Sequence, residues 1–129
     1  MLRRTAFLFS LALPLALGQE APPEKADASA LIGRWKVDLR PTPDAEPYFQ
    51  EFEVLAAQGG TLRGSFYGAP IESARTNEDW GRAHFAFVTR DGSGEYYTSG
   101  ELVEGQLRGT TLSVGRDFLA VWTAERMEQ

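Results

Sequence analysis

Catalysis and metal binding need side chains that ionise, ligate or attack, and this chain holds few of them in useful patterns. Its single histidine, His84, stands beside Phe85 with no second histidine and no cysteine anywhere in the sequence. A nucleophilic triad or a zinc site needs partners of those types. Ser65, Ser99 and Ser113 occupy no Gly-x-Ser-x-Gly elbow. Two carboxylate pairs invite an acid–base reading, Glu78 with Asp79 and Glu51 with Glu53. The first pair is adjacent in a loop and the second alternates along a strand, the ordinary places for solvated acids. Asp91-Gly92-Ser93-Gly94-Glu95 lacks the run of oxygen ligands of a calcium loop and reads as a turn. The expectation is no catalytic residue, no metal and no cofactor, so the protein is not read as an enzyme.

The aromatic residues form a better pattern. Trp35, Phe52, Phe66, Phe85, Phe87, Tyr96, Phe118 and Trp122 all fall on one face of the segments that carry them. If that face lines an interior, the lumen is apolar with a few hydroxyls, Thr98 and Thr111 and then Ser113. Such a lining suits a flat or greasy ligand, and equally a filled core. Trp35, Phe66, Phe85, Phe87, Tyr96, Thr98 and Trp122 are the candidate lumen residues.

The elements that must position them follow a period of two from Ala30 onward, with no convincing helical period. Residues 31–39 are the clearest strand: Leu31, Gly33, Trp35, Val37 and Leu39 alternate with Ile32, Arg34, Lys36, Asp38 and Arg40, and Pro41 and Pro43 end it. Further strands are expected over residues 48–57, 61–67, 71–75, 82–90, 95–102, 106–113 and 118–125. Gln58-Gly59-Gly60 and Asp91-Gly92 are hairpin signals. Gly60-Thr61-Leu62-Arg63-Gly64-Ser65 recurs as Gly105-Gln106-Leu107-Arg108-Gly109-Thr110, and the mid-strand Gly64 and Gly109 mark a bend or a close backbone approach. Eight short strands with short connections make a meander. Closing it removes two raw edges, so the expected fold is all-β, an eight-stranded antiparallel up-and-down barrel, with a two-sheet sandwich as rival. One longer loop, residues 76–81, carries Asn77, Asp79 and Trp80 as candidates for a lid or a contact surface.

The chain ends bound the context. Arg3 and Arg4 followed by an apolar run over residues 6–17 have the form of a secretory signal, with cleavage expected after Gly18 or within the next few residues. The run is too short for the roughly 20 residues of a spanning helix and contains Pro14. The expected organisation is a signal peptide at 1–18, a flexible linker at 19–29, the barrel at 30–126 and a tail at 127–129. Localisation is read as secreted or periplasmic. Losing Arg3 and Arg4 leaves eleven basic residues against 18 acidic ones, which argues against a nucleic-acid partner. Without cysteine, an exported domain must rely on packing and ladder closure for stability.

Leu31-Ile32-Gly33-Arg34-Trp35 resembles the Gly-x-Trp opening of the calycins, the group of lipocalins, fatty-acid-binding proteins and avidins. The resemblance implies a barrel whose end is closed by Trp35 under a basic residue from a late strand. Arg126 fits that role, with Arg116 as second choice, so Gly33, Trp35 and Arg126 form the expected closure. Residues 60–66 also resemble an avidin strand that lines the ligand site. Where avidins place an asparagine two residues after the tryptophan, this chain has Val37; Pro41 takes a second polar position, and Phe66 replaces a tyrosine. Biotin is therefore not the expected ligand. The functional expectation is an exported lipocalin- or avidin-like protein that binds a small hydrophobic or aromatic molecule. The alternative is an envelope interaction module or inhibitor with a protein partner, using the barrel as scaffold. No membrane span remains after signal cleavage in either reading.

Overall fold

The computed structural model describes residues 21–128, so the signal peptide expected at 1–18 lies outside the described residues. A short 3-10 turn, Ala28–Leu31, leads into nine strands: β1 (Gly33–Asp38), β2 (Phe49–Gln58), β3 (Thr61–Phe66), β4 (Ala69–Pro70), β5 (Glu72–Asn77), β6 (His84–Asp91), β7 (Gly94–Val103), β8 (Gln106–Ser113) and β9 (Phe118–Arg126). They form one antiparallel sheet in the order β4-β3-β2-β1-β9-β8-β7-β6-β5. That is a meander barrel, and the rival sandwich is excluded because no second sheet exists among the described residues.

Nine strands replace the expected eight because residues 67–70 do more than break β3. Tyr67 and Gly68 both take positive φ, 56° and 80°, which makes a two-residue turn whose twist matches a hairpin. Ala69 and Pro70 then pair back onto Phe66 and Ser65. Pro70 has no N–H to donate, and β4 is the outermost strand of the sheet, where that is tolerated.

Closure is nearly complete. Across the seam between β3 and β5, the Thr76 N–H donates to the Gly60 carbonyl at 3.0 Å and the Thr61 hydroxyl to the Ala74 carbonyl at 3.1 Å. The Ile71 N–H adds a 3.0 Å bond to the Gly64 carbonyl. These bonds cover part of the two edges that a continuous ladder would otherwise remove.

Inward residues fill most of the interior. Phe52 meets Phe66, Phe85 and Phe87 with ring centroids 5.4–5.6 Å apart, and Phe66 meets Trp122 at 5.6 Å. Trp35, Val37, Phe52 and Leu107 are fully buried. One row across four strands shows how the rings fit: Phe85 pairs with Gly100, Gly100 with Gly109, and Gly109 with Trp122. A Cβ at Gly109 would lie 2.3 Å from the Trp122 ring, and one at Gly100 would lie 2.7 Å from the Phe85 ring. Two glycines in mid-strand thus leave room for two large rings, which stack at 6.5 Å. This is the close approach expected at Gly109, with a side chain rather than backbone as the nearest neighbour.

Candidate functional site

The two ends of the barrel differ. At one end, Trp35 donates its indole N–H to the Leu31 carbonyl at 2.9 Å, fixing the ring under the 3-10 turn. Arg126, the last residue of β9, donates to the carbonyls of Ile32 at 2.8 Å and Ala30 at 2.6 Å. Its guanidinium carbon stands 4.2 Å from the centre of the Trp35 ring, a stacking worth about 0.5–1 kcal/mol at an exposed site. Gly33 has φ of 137°, and a Cβ there would sit 2.6 Å from the Arg126 guanidinium. Gly33, Trp35 and Arg126 are therefore brought together as an end closure. Arg116 is at the opposite end.

The chain before β1 joins this closed end. Asp27 caps the 3-10 turn by accepting the Ser29 N–H at 2.9 Å, which holds its carboxyl below the usual range. The Ala26 N–H donates to the Glu78 carbonyl at 2.8 Å and the Ala28 N–H to the Glu78 carboxylate at 2.5 Å. Ala28 is buried in the core. The linker expected through residue 29 is thus tied to the barrel from Ala26 onward.

The same contacts place the long loop. Asn77 accepts the Asp79 N–H at 2.9 Å, and Asp79 pairs with Lys25 at 3.5 Å. Trp80 is 69% exposed. These three residues lie at the closed end, so the loop does not form a lid over the open one.

The open end holds a cavity of about 280 Å³. Of the seven lumen candidates, only Phe66 and Tyr96 line it. Trp35, Phe85, Phe87, Thr98 and Trp122 are packed out of reach as core. In its floor, the hydroxyl of the lining residue Thr111 accepts the Trp122 indole N–H at 3.0 Å and shares a 2.9 Å bond with Thr98. Those buried polar groups are satisfied. Thr89 differs: it lines the cavity, is 3% exposed, and its hydroxyl bonds to no described residue.

Tyr48, Tyr67 and Arg116, which sequence reasoning did not nominate as lumen residues, contribute to the mouth together with Phe118, which it placed on the inward face. The Tyr48 and Tyr67 hydroxyls bond to each other, with ring centroids 6.1 Å apart. They sit at strand ends, where positive φ at Tyr67 breaks the alternation that would have revealed its direction. Charged groups surround them. Arg90 bridges Glu72 at 3.1 Å and Glu95, contacts that raise its already high pKa. Asp91 accepts the Ser93 N–H at 2.7 Å and the Tyr96 hydroxyl at 2.8 Å, and these hold its carboxyl below the usual range.

His84 lies away from the cavity. Its Nε2 is 3.3 Å from a Glu101 carboxylate oxygen, which also takes Arg82 at 3.2 Å. The three are a partly exposed cross-strand charge cluster, since His84 and Glu101 are direct partners on β6 and β7. No group of three or more metal-ligating residues occurs among the described residues, and no helix there is long and apolar enough to cross a membrane.

No protein-family profile, curated protein or solved structure matches this chain. The barrel is compatible with a calycin-like fold, and that compatibility rests on geometry alone.

Proposed function

We propose that this is an exported binding protein of lipocalin- or avidin-like design that takes one small hydrophobic or aromatic molecule into its open end. The carrying observation is the cavity of about 280 Å³ opposite the Trp35–Arg126 closure. Pockets for drug-sized ligands span about 300–1,000 Å³, so this one suits a mono- or bicyclic ring better than a long chain. Its walls include Phe66, Ala69 and Ala120, and Thr89 offers a buried hydroxyl without a partner among the described residues. A closed end, an aromatic floor and walls that include apolar side chains under a rim of tyrosines and charged groups are the parts of a cup.

The test is a fluorescence titration with the uncharged apolar dye N-phenyl-1-naphthylamine. One saturable site is expected, and Ala120→Trp, which fills the cavity, abolishes it while circular dichroism is unchanged. No saturation, or saturation untouched by Ala120→Trp, overturns the proposal. Export predicts that the protein recovered from the envelope or medium begins within a few residues of Gln19, read by N-terminal sequencing.

The exposed Trp80 favours a second reading, a protein-interaction module acting from the closed end. Recovery of an envelope partner that is lost on Trp80→Ala supports it, and recovery unaffected by that change counts against it.

A further inference from the structure

We infer that the ligand of the open-end cavity is a small aromatic monoanion whose acid group pairs with Arg116. This rests on the binding role proposed above. The argument starts from the charges near the mouth and what each already does. Arg90 is occupied by Glu72 and Glu95. Arg40 is paired with Asp38 at 2.5 Å. Asp91 accepts the Ser93 N–H on one oxygen and the Tyr96 hydroxyl on the other, and is stabilised as the anion.

Arg116 is different. Its backbone N–H bonds the Ser113 hydroxyl at 3.1 Å, which fixes the turn that carries it. Its guanidinium stands 5.7 Å from the centre of the Phe118 ring and forms no salt bridge among the described residues. Asp91 feels its charge, which contributes to lowering that carboxyl, without pairing with it. Among the cavity's charged lining groups, Arg116 alone has side-chain donors with no partner among the described residues. A guanidinium is weakly hydrated and presents a planar fork that matches a carboxylate. Held on an aromatic ring at the edge of an apolar cup, it is pre-set to take the acid end of a ligand whose flat body enters between Phe66 and Tyr96. Thr89, buried and without a partner among the described residues, can serve a polar group on that body.

Aromatic walls also suit a cation. Here Arg116 repels one, while Arg90 is offset by Glu72 and Glu95, and Asp91, the one lining carboxylate, already holds the Ser93 N–H and the Tyr96 hydroxyl.

Three isosteric probes separate these cases: 2-naphthoate, the neutral 2-naphthamide and 2-naphthylmethylammonium, each titrated into the protein. Naphthoate is expected to bind about tenfold tighter than the amide, as a partly exposed charge-assisted contact gives, with the ammonium weakest. Arg116→Gln removes most of naphthoate's advantage over the amide, costing naphthoate more than it costs the amide; Arg116→Glu makes naphthoate weaker than the amide. Raising the salt to 1 M shrinks the advantage, because the screening length falls to about 3 Å. Equal binding of naphthoate and naphthamide, or preference for the ammonium, overturns the inference and leaves the binding role standing. If none of the three binds while the uncharged dye does, the inference falls alone. If the dye fails too, the binding role falls with it.

Discussion

Replacing Gly109 by alanine adds one methyl group to the point where the aromatic interior presses hardest on the sheet. That methyl would lie 2.3 Å from the Trp122 ring and 2.5 Å from the Ser99 carbonyl oxygen. Ordinary carbon contacts need about 3.5 Å or more, so something must move by roughly an ångström. The ring has little room to retreat. Phe66 and Phe85 pack against it with centroids 5.6 and 6.5 Å away, and its N–H is bonded to Thr111 at 3.0 Å. The Ser99 carbonyl belongs to the β7–β8 ladder and is no freer. Overpacking of a filled core costs about 1–3 kcal/mol, and the two-sided clash places Gly109→Ala at about 3 kcal/mol. For a domain of about 100 residues that is a fall of roughly 12–24 °C in Tm. Urea unfolding followed by tryptophan fluorescence measures it. Gly92→Ala is the control: φ there is not positive and no atom lies within 4 Å of the added group. It should stay within about 0.5 kcal/mol of the parent protein. If Gly109→Ala matches that control, the ring does not lie over the glycine row and the account of the interior is wrong.

Three other outcomes follow from the same geometry. Arg126→Ala loses two hydrogen bonds to carbonyls and the stacking on Trp35, at a cost of about 2 kcal/mol in chemical denaturation; Arg126→Lys should recover less than half, because a lysine cannot span both carbonyls. Asp38, Glu51 and Asp91 have carboxyls lowered in the fold by Arg40, Arg34 and the Ser93 N–H respectively. Their contribution is complete above the ordinary carboxylate values of about 4 and is lost as pH falls below them, because the unfolded chain then binds more protons. Acid titration of Tm should therefore show a decline below about pH 4, with Asp38→Asn reducing its slope; an unchanged slope counts against that assignment. Trp80→Ala should leave Tm within about 2 °C, given a side chain that is mostly exposed; a larger fall would mean that the loop is packed.

The strands were legible because one face of each meets packed aromatics and the other meets water, so residue types alternate. Trp35 and Val37 show this in β1, and Phe85 and Phe87 in β6. The two-residue β4 was not legible, since Tyr67-Gly68 reads as an interruption until both positive φ values are known. The site was half legible for a geometric reason. Alternation says which side chains point inward but not at what height in the barrel they stand. Phe85, Phe87 and Trp122 stand at the middle and fill it, whereas Phe66 and Tyr96 stand nearer the mouth and line a space. Counting hairpins does fix the ends: the residue 76–81 loop shares an end with the Gly59-Gly60 and Glu104-Gly105 turns. Arg116 shares the other with the Gly92-Ser93 turn. Arg126 was found through the resemblance to calycins, and nothing in its local spacing points to Trp35.

The central claim is that the open end, and not the aromatic middle or the exposed loop, receives the ligand. Amide and methyl shift mapping by NMR during titration with 2-naphthoate tests it directly. The account predicts saturable shifts at Thr89, Tyr96, Thr111 and Phe118, with Gly33, Trp35 and Trp80 unmoved. Shifts centred on the closed end or on Trp80, or none at saturating ligand, would contradict it.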